Sequence, residues 1–251
     1  ITIERTPIQE LDFYFSIGDF LKKKIIKFLI KKTYKHAFIR IGNSLPVSRD
    51  LFKICGYKVK TFIPFIKITP ITKIKFNKNK ISLLWIGRIA SEKNIDDLIY
   101  SIKYLDDVDF KLNIIIDGSF NLSNYKIDQS LIKKIKIIRF NNKNIIKIYK
   151  SSDILVSTSF YEGFPNVIAE AINYNCLIIS ANNFGGSKQL IKNQKSGLFY
   201  EIGNPRNLAE KIQFSINNSS KVKKMISMAK VNLINLSKRY NQSYRKLFSQ
   251  F

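Results

Sequence analysis

A chain of 251 residues and 29.2 kDa, 45% hydrophobic and 24% charged, is long enough for one large or two small domains with real cores, which excludes disorder throughout. Forty-three Lys and Arg against 18 Asp and Glu leave a net charge of +25, and a single histidine, His36, excludes catalysis that needs two. Two cysteines, Cys55 and Cys176, far apart and outside any C-x-x-C pair, exclude a disulfide framework or a cysteine-rich zinc site and point to a reducing, cytoplasmic setting.

Helical spacing of Leu21, Ile25, Phe28 and Leu29, opposite Lys23, Lys27 and Lys31, predicts a helix over Leu21–Phe38. Two readings of it stand: a core-packed helix with a solvated lysine face, and a helix lying on a membrane surface. A short strand at Phe38–Ile41 follows, then Asn43, Ser44 and a helix over Pro46–Ile54 ended by Gly56, then a strand at Val59–Ile63 stopped by Pro64. Residues Pro64 to Lys80 have no clear period and read as an interdomain linker.

Beyond the linker the pattern is regular. Strands are predicted at Ile81–Ile86, Leu112–Ile116, Ile135–Phe140, Ile154–Ser157 and Leu177–Ser180. Helices are predicted at Asn94–Tyr104, Ile145–Lys150, Pro165–Ile172 and Leu208–Asn217. Strands apolar throughout and alternating with helices imply an α/β fold whose parallel sheet is covered on both faces.

Of the basic residues, 35 are Lys and 8 are Arg, in a chain rich in Ile and Asn, as an AT-rich coding sequence produces. Nucleic acid is not an expected partner, because no cluster of arginines interleaved with aromatics appears. An anionic membrane surface remains open, since each lysine near it contributes about 1 kcal/mol without geometric demand. No stretch reaches the roughly 20 apolar residues of a membrane span. The sequence begins at Ile1 without Met and lacks the order of a signal peptide, so the expectation is a start inside a longer chain.

In an open parallel sheet, ligands bind where strand ends lead into helix N-termini, and three loops fall there. In Gly87–Lys93 a glycine permits close backbone approach, while Arg88 and Lys93 supply two cations suited to a diphosphate, against the alternative of a solvated basic loop. In Ser157–Asn166, Pro165 suits the first helical position, which would turn the amides of Asn166 and Val167 toward an anion. Glu162 and Glu170 lie eight residues apart, about 12 Å at helical rise, roughly the length of a sugar-diphosphate-ribose unit. The third loop, Ala181–Gln189, holds the pair Gly185-Gly186, whose freedom suits close ligand approach or an ordinary turn.

Gly87-Arg88 with Glu92-Lys93-Asn94, then Ser159-x-x-Glu162-Gly163-Phe164-Pro165-Asn166-Val167-x-x-Glu170-Ala171, then Gly185-Gly186 and Ser196-Gly197-Leu198 follow one another in order. Over about Ile81 to Glu210 this resembles the nucleotide-binding half of the retaining GT-B glycosyltransferases, family 4. More faintly, Ala37–Ile63 looks like the end of that family's amino-terminal domain, with Ser44 at a strand-ending serine. The resemblance implies a GT-B fold with a complete carboxyl-terminal Rossmann-like domain, with terminal helices, at 77–251 and a partial, acceptor-side one with its linker at 1–76. It implies transfer of a hexose, from a UDP-sugar above other donors, with retention and without a metal ion or cofactor.

By the same resemblance Arg88, Lys93 and Glu162 are the catalytic residues. The two cations would neutralise the departing diphosphate, and Glu162 would hold donor-sugar hydroxyls. Gly87, Gly163, Phe164, Pro165, Asn166 and Val167 would bind the donor, and Glu170 the ribose hydroxyls. The acceptor would be a glycan or a lipid-linked sugar in bacterial surface polysaccharide synthesis, lipopolysaccharide or capsule, on the inner face of the cell membrane. Asn175 stands where the family has glycine, and Gln189 where it often has Glu. With only about 76 residues before the second domain, the family's glycine-rich amino-terminal loop is missing and His36 is not matched to its active-site histidine. The alternative is therefore a non-catalytic nucleotide-sugar-binding module that needs a further half.

Overall fold

The computed structural model describes residues 2–4, 17–76, 78–105, 107–141 and 144–248. The amino-terminal part contains β1 (Thr2–Glu4), α1 (Ile17–Tyr34), β2 (Arg40–Gly42), α2 (Leu45–Cys55) and β3 (Lys60–Thr61). Its strands are parallel, in the order β1-β2-β3. Ser44 starts α2 by accepting the Val47 amide at 3.3 Å, and Gly56 ends it at φ 74°. Val47, Leu51 and Cys55, four residues apart, bury one face.

The core-packed reading of the first helix does not hold. Ile25, Phe28 and Leu29 are 50, 63 and 49% exposed, because α1 packs chiefly along α2 and three short strands are too small to cover its other side. The helix also lies earlier than predicted, ending at Tyr34, and His36 is exposed in the turn that follows.

After this part come β4 (Ile81–Arg88), α3 (Ile95–Ser101), β5 (Phe110–Asp117), α4 (Gln129–Ile132), β6 (Ile135–Arg139), α5 (Ile145–Lys150) and β7 (Ile154–Ser157). The chain continues through β8 (Tyr161–Glu162), α6 (Asn166–Asn173), β9 (Leu177–Ala181), β10 (Phe184–Gly185), α7 (Ser187–Leu190), β11 (Leu198–Tyr200), α8 (Pro205–Asn217) and α9 (Ser219–Phe248). Six parallel strands form one sheet in the order β11-β9-β7-β4-β5-β6. Chain order thus reverses direction between β4 and β7, which makes that crevice the topological switch point of a doubly wound sheet.

Each inner strand buries both faces, so the predicted apolar runs are real strands. Leu83, Trp85, Leu112 and Ile114 face Leu98 of α3, Leu208 and Ile212 of α8 and Met225 of α9. Leu84, Ile115, Leu155 and Ile178 face Tyr149 of α5, Ile168 and Ile172 of α6 and Leu233 of α9. The 30-residue α9 begins in one core and ends in the other, so it crosses the edge of the sheet. Asp97 of α3, 5% exposed, accepts from the Tyr200 hydroxyl and the Gly203 amide, each at 2.9 Å, and its burial raises its pKa.

The segment expected to be a linker is irregular but fastened. Ile63 and Ile66 join the second core. The Thr69 amide donates to Asn173 Oδ1 at 3.0 Å, and Asn173 Nδ2 donates to the Lys67 carbonyl at 2.8 Å. Lys230 of α9, 2% exposed, closes the knot by donating to Thr69 Oγ1 and to both oxygens of Asn173. No helix among the described residues is long and apolar enough to cross a membrane.

Candidate functional site

At the switch point the ends of β4 and β7 open a cavity of about 260 Å³. Gly87, Arg88, Lys93, Glu162, Phe164, Pro165, Asn166 and Val167 line it, so eight of the ten sequence-predicted residues meet in one place. Gly163 sits buried between two of them. Glu170 lines a second cavity of about 290 Å³, with Phe140, Ile145, Tyr149 and Tyr174. Asn166 lines both, so the two are neighbours across the start of α6.

The first loop is built around Trp85. Its indole NH donates to Thr158 Oγ1 at 2.9 Å, and that hydroxyl donates to the Lys93 carbonyl at 2.6 Å. The Phe160 amide donates to the Glu92 carbonyl at 2.9 Å, a second tie between the two loops. A Cβ on Gly87 would lie 2.8 Å from the Trp85 ring, so this glycine makes room for the indole that fastens the loops. Lys93 is thereby held with its ammonium 2.5 Å from Glu162 Oε1, which also accepts from Ser159 Oγ at 2.9 Å. The side chains of Lys93 and Glu162 are each about one-fifth exposed, which strengthens their attraction relative to a surface pair. Arg88 behaves differently. Its side chain is 72% exposed and turns to Glu92 at 3.0 Å.

The glycine pair has a structural duty that its sequence left open. Gly185 has φ +144°, and a Cβ there would lie 2.0 Å from the Glu162 carbonyl oxygen. The Gly186 amide donates to that same oxygen at 3.1 Å. Asn183 Nδ2 donates to the Ser159 carbonyl at 2.7 Å, and Ser187 Oγ holds Asn183 Oδ1 at 2.9 Å. The third loop therefore buttresses the loop that carries Glu162. Burial pushes the Tyr161 phenol up, and the neighbouring Glu92 and Glu162 carboxylates add to the shift.

Pro165 is the N-cap of α6, one position earlier than predicted, at φ −80° and ψ 89°. Asn166 and Val167 line the cavity, and as first-turn residues their amides have no helical carbonyl to bond. Glu162 lies in β8 rather than in the helix, so the 12 Å separation from Glu170 does not follow from helical rise. Glu170 is exposed on α6, and its Oε2 accepts from the Tyr149 hydroxyl at 2.7 Å. Tyr149 is 1% exposed, stacks on Tyr174 at 5.6 Å, and has its phenol pushed well up, by burial first and by Glu170 second.

The sequence pointed to neither Tyr149 nor the pair Trp85 and Thr158. Ser159 stood in the quoted motif without a role. The only signal for Tyr149 was its place at the end of a short amphipathic helix, which any core tyrosine shares. Among the described residues no group of three His, Cys, Asp or Glu side chains could hold a metal ion. What the cavity offers is two cations, a fixed carboxylate and unsatisfied amides at a helix start, a set that suits a ligand with an anionic centre and hydroxyls around it.

A family profile described as glycosyl transferases group 1 matches residues 68–231. The chain is 28% identical over 218 residues to the Campylobacter jejuni GalNAc-alpha-(1->4)-GalNAc-alpha-(1->3)-diNAcBac-PP-undecaprenol alpha-1,4-N-acetyl-D-galactosaminyltransferase, covering 84% of this chain and 59% of that protein. It is 25% identical over 213 residues to the Staphylococcus aureus capsular polysaccharide biosynthesis glycosyltransferase CapM, covering 82% and 52%. The chain thus spans between half and three-fifths of the length of these relatives. Among solved structures it is similar in fold to TarM, with a TM-score of 0.81, 22% identity, and coverage of 98% of this chain and 49% of TarM. It is also similar to Anabaena HepE in complex with UDP and glucose, with a TM-score of 0.72, 17% identity and coverage of 90% and 66%. These neighbours place the chain in the GT-B fold expected from its motifs.

Proposed function

As the chain belongs to the glycosyl transferases group 1 family, we propose that it carries the donor side of an enzyme that moves a sugar from a nucleotide-sugar donor to a glycan or lipid-linked acceptor. In this reading residues 77–251 hold the donor and residues 1–76 belong to the acceptor side. The observation that carries it is the Lys93–Glu162 pair fixed beside the first-turn amides of α6, in the cavity at the switch point. The diphosphate lies against Lys93, Arg88 and those amides, and Arg88 exchanges Glu92 for a phosphate oxygen when donor enters. Glu162 holds hydroxyls of the donor sugar. Glu170, held by Tyr149, takes the ribose hydroxyls, and the base enters the aromatic second cavity between Phe140 and Tyr174.

In the transfer itself the acceptor oxygen bonds to the anomeric carbon on the face the diphosphate leaves, so configuration is retained. The carbon–oxygen bond to phosphate breaks, and the acceptor proton passes to the departing phosphate oxygen. Lys93 and Arg88 offset the charge that grows on that oxygen in the transition state. A UDP-hexose is the donor we favour. The relatives named for capsule synthesis and for an undecaprenol-linked acceptor support surface polysaccharide as the product. The exposed Ile25, Phe28 and Leu29 of α1, with Lys24, Lys27 and Lys31 beside them, support attachment to the anionic inner face of the cell membrane.

A thermal-shift panel of UDP, GDP, ADP and UDP-hexoses tests the reading. UDP at 100 times its Kd adds about 2.7 kcal/mol to stability. Glu170→Ala should remove most of that shift, while the loss of the Tyr149 bond lowers the unliganded Tm by a few degrees. No shift with any nucleotide refutes the donor assignment. A UDP shift without transfer by the full-length protein leaves the non-catalytic alternative standing in place of the enzyme. Co-sedimentation with vesicles that does not depend on acidic lipid would refute the membrane part.

A further inference from the structure

Gln189 links the amino-terminal part to the part that carries the donor cavity. Its Oε1 accepts the Leu45 amide at 3.1 Å, and its Nε2 donates to the Tyr240 hydroxyl of α9 at 3.3 Å. Leu45 is the first residue of α2, in the amino-terminal part, and Gln189 belongs to α7, which follows β10 beside the loop that carries Glu162. The other amides at the start of α2 are already used. Val47 donates to Ser44 Oγ, Ser48 to the Ser44 carbonyl, and Pro46 has no amide to offer. The Leu45 amide is therefore the one donor of that turn left for a group from outside, and a side chain 144 positions away supplies the acceptor.

What makes this contact more than a surface hydrogen bond is the backbone behind it. Three residues before Gln189, the Gly186 amide donates to the Glu162 carbonyl. Two residues before it, Ser187 braces Asn183, which holds the Ser159 carbonyl, and Ser159 in turn bonds Glu162. A pull on Gln189 from α2 thus reaches the carboxylate paired with Lys93 through a short, continuous set of hydrogen bonds. Gln189 itself lines neither cavity.

We propose that Gln189 is a positioning residue that registers the amino-terminal sheet against the donor cavity and so fixes where Glu162 stands relative to an acceptor. It acts through α7 and the Glu162 loop and touches no substrate. The proposal rests on the donor-cavity reading above for its kinetic consequence only; the contact with Leu45 stands without it. Glutamate at this position would still accept from the Leu45 amide and would accept from the Tyr240 hydroxyl instead of donating to it, whereas leucine can do neither.

Residue-resolved amide exchange on the full chain is the first measurement. Gln189→Leu should speed exchange at Leu45 by about tenfold or more while Ser48, bonded within α2, keeps its protection; Gln189→Glu should restore Leu45. Unchanged exchange at Leu45 in Gln189→Leu overturns the proposal. Donor turnover and UDP binding in the full-length protein are the second measurement. Gln189→Leu should lower kcat by roughly tenfold with the Kd for UDP within twofold of the parent, and Gln189→Glu should recover the rate. A parallel loss of UDP binding, or a rate that Gln189→Glu does not recover, also overturns it. If the parent binds no UDP, the donor reading fails and the exchange result alone decides the role of Gln189.

Discussion

Replacing Lys230 by Met probes the most unusual side chain of the core. Lys230 is 2% exposed, and no carboxylate pairs with it among the described residues. Its ammonium relies on Thr69 Oγ1 at 3.0 Å, the Asn173 carbonyl at 2.7 Å and Asn173 Oδ1 at 2.5 Å. Burial lowers its pKa from 10.5 to about 8. A lysine whose folded pKa is depressed binds fewer protons in the native state than in the unfolded one, so its contribution to stability rises as pH climbs from about 8 toward 10.5. At pH 7 both states are mostly protonated and the charged form is held at a cost of about 3 kcal/mol, at about 1.4 kcal/mol per pKa unit. At pH 9.5 most of the folded population is neutral while most of the unfolded one is still charged, and about 2 kcal/mol of that cost is gone.

Methionine fills similar volume without a charge. It orphans neither oxygen of Asn173, because Thr69 donates to both, from its hydroxyl and, at Oδ1, from its amide as well. Met should therefore be close to neutral at pH 7, or stabilising. The informative quantity is the stability of the parent minus that of Lys230→Met, from urea unfolding followed by circular dichroism. Subtraction removes the other lysines and tyrosines that titrate in the same range. It should rise by about 2 kcal/mol between pH 7 and 9.5. A difference that is flat with pH refutes the reasoning, since it would mean that Lys230 keeps an ordinary pKa despite its burial.

Gly185→Ala puts a Cβ 2.0 Å from the Glu162 carbonyl at a φ of +144°, which forces that peptide to move. Strain and displacement together should cost about 3 kcal/mol and lower Tm by roughly 6–12 °C in a scanning calorimeter. Tyr149→Phe keeps the stacking on Tyr174 and removes the 2.7 Å bond to Glu170. It should cost about 1–2 kcal/mol of stability and shrink the UDP-induced thermal shift, and an undiminished shift would separate Glu170 from nucleoside binding.

Much of the larger sheet was legible in the residues because central parallel strands bury both faces. Ile145–Lys150 and Ile154–Ser157 have the bounds the pattern predicts, and the other strands predicted for that sheet agree within a few residues. The short motifs were legible for a related reason: loops at strand ends must carry glycine, proline and charge in close succession, and eight of the ten residues chosen from them line one cavity. Helix limits were less so. A predicted single helix over Asn94–Tyr104 is α3 flanked by 3-10 turns, with Asn94 left-handed at φ 44°, because local caps rather than periodicity set where a helix begins. The edge strand β11 was missed, being three residues long, and α9 was expected only as part of the terminal helices, without bounds, although Val222, Met225, Ala229 and Leu233 bury one face of it.

Composition and pattern by themselves determined an α/β chain with an apolar parallel sheet, the three loops that matter, and the family to which their residues point. Tertiary structure decided the rest. It put β4 beside β7 to create the crevice, gave the glycine pair a backbone to lie against, and chose partners for Tyr149, Gln189 and Lys230. Those partners are 21, 144 and 57 positions away, and nothing in a local pattern of hydrophobicity records them. The physical reason is that periodicity reports which face of an element is buried, whereas the identity of a hydrogen-bonding partner depends on which elements the packed sheet brings together.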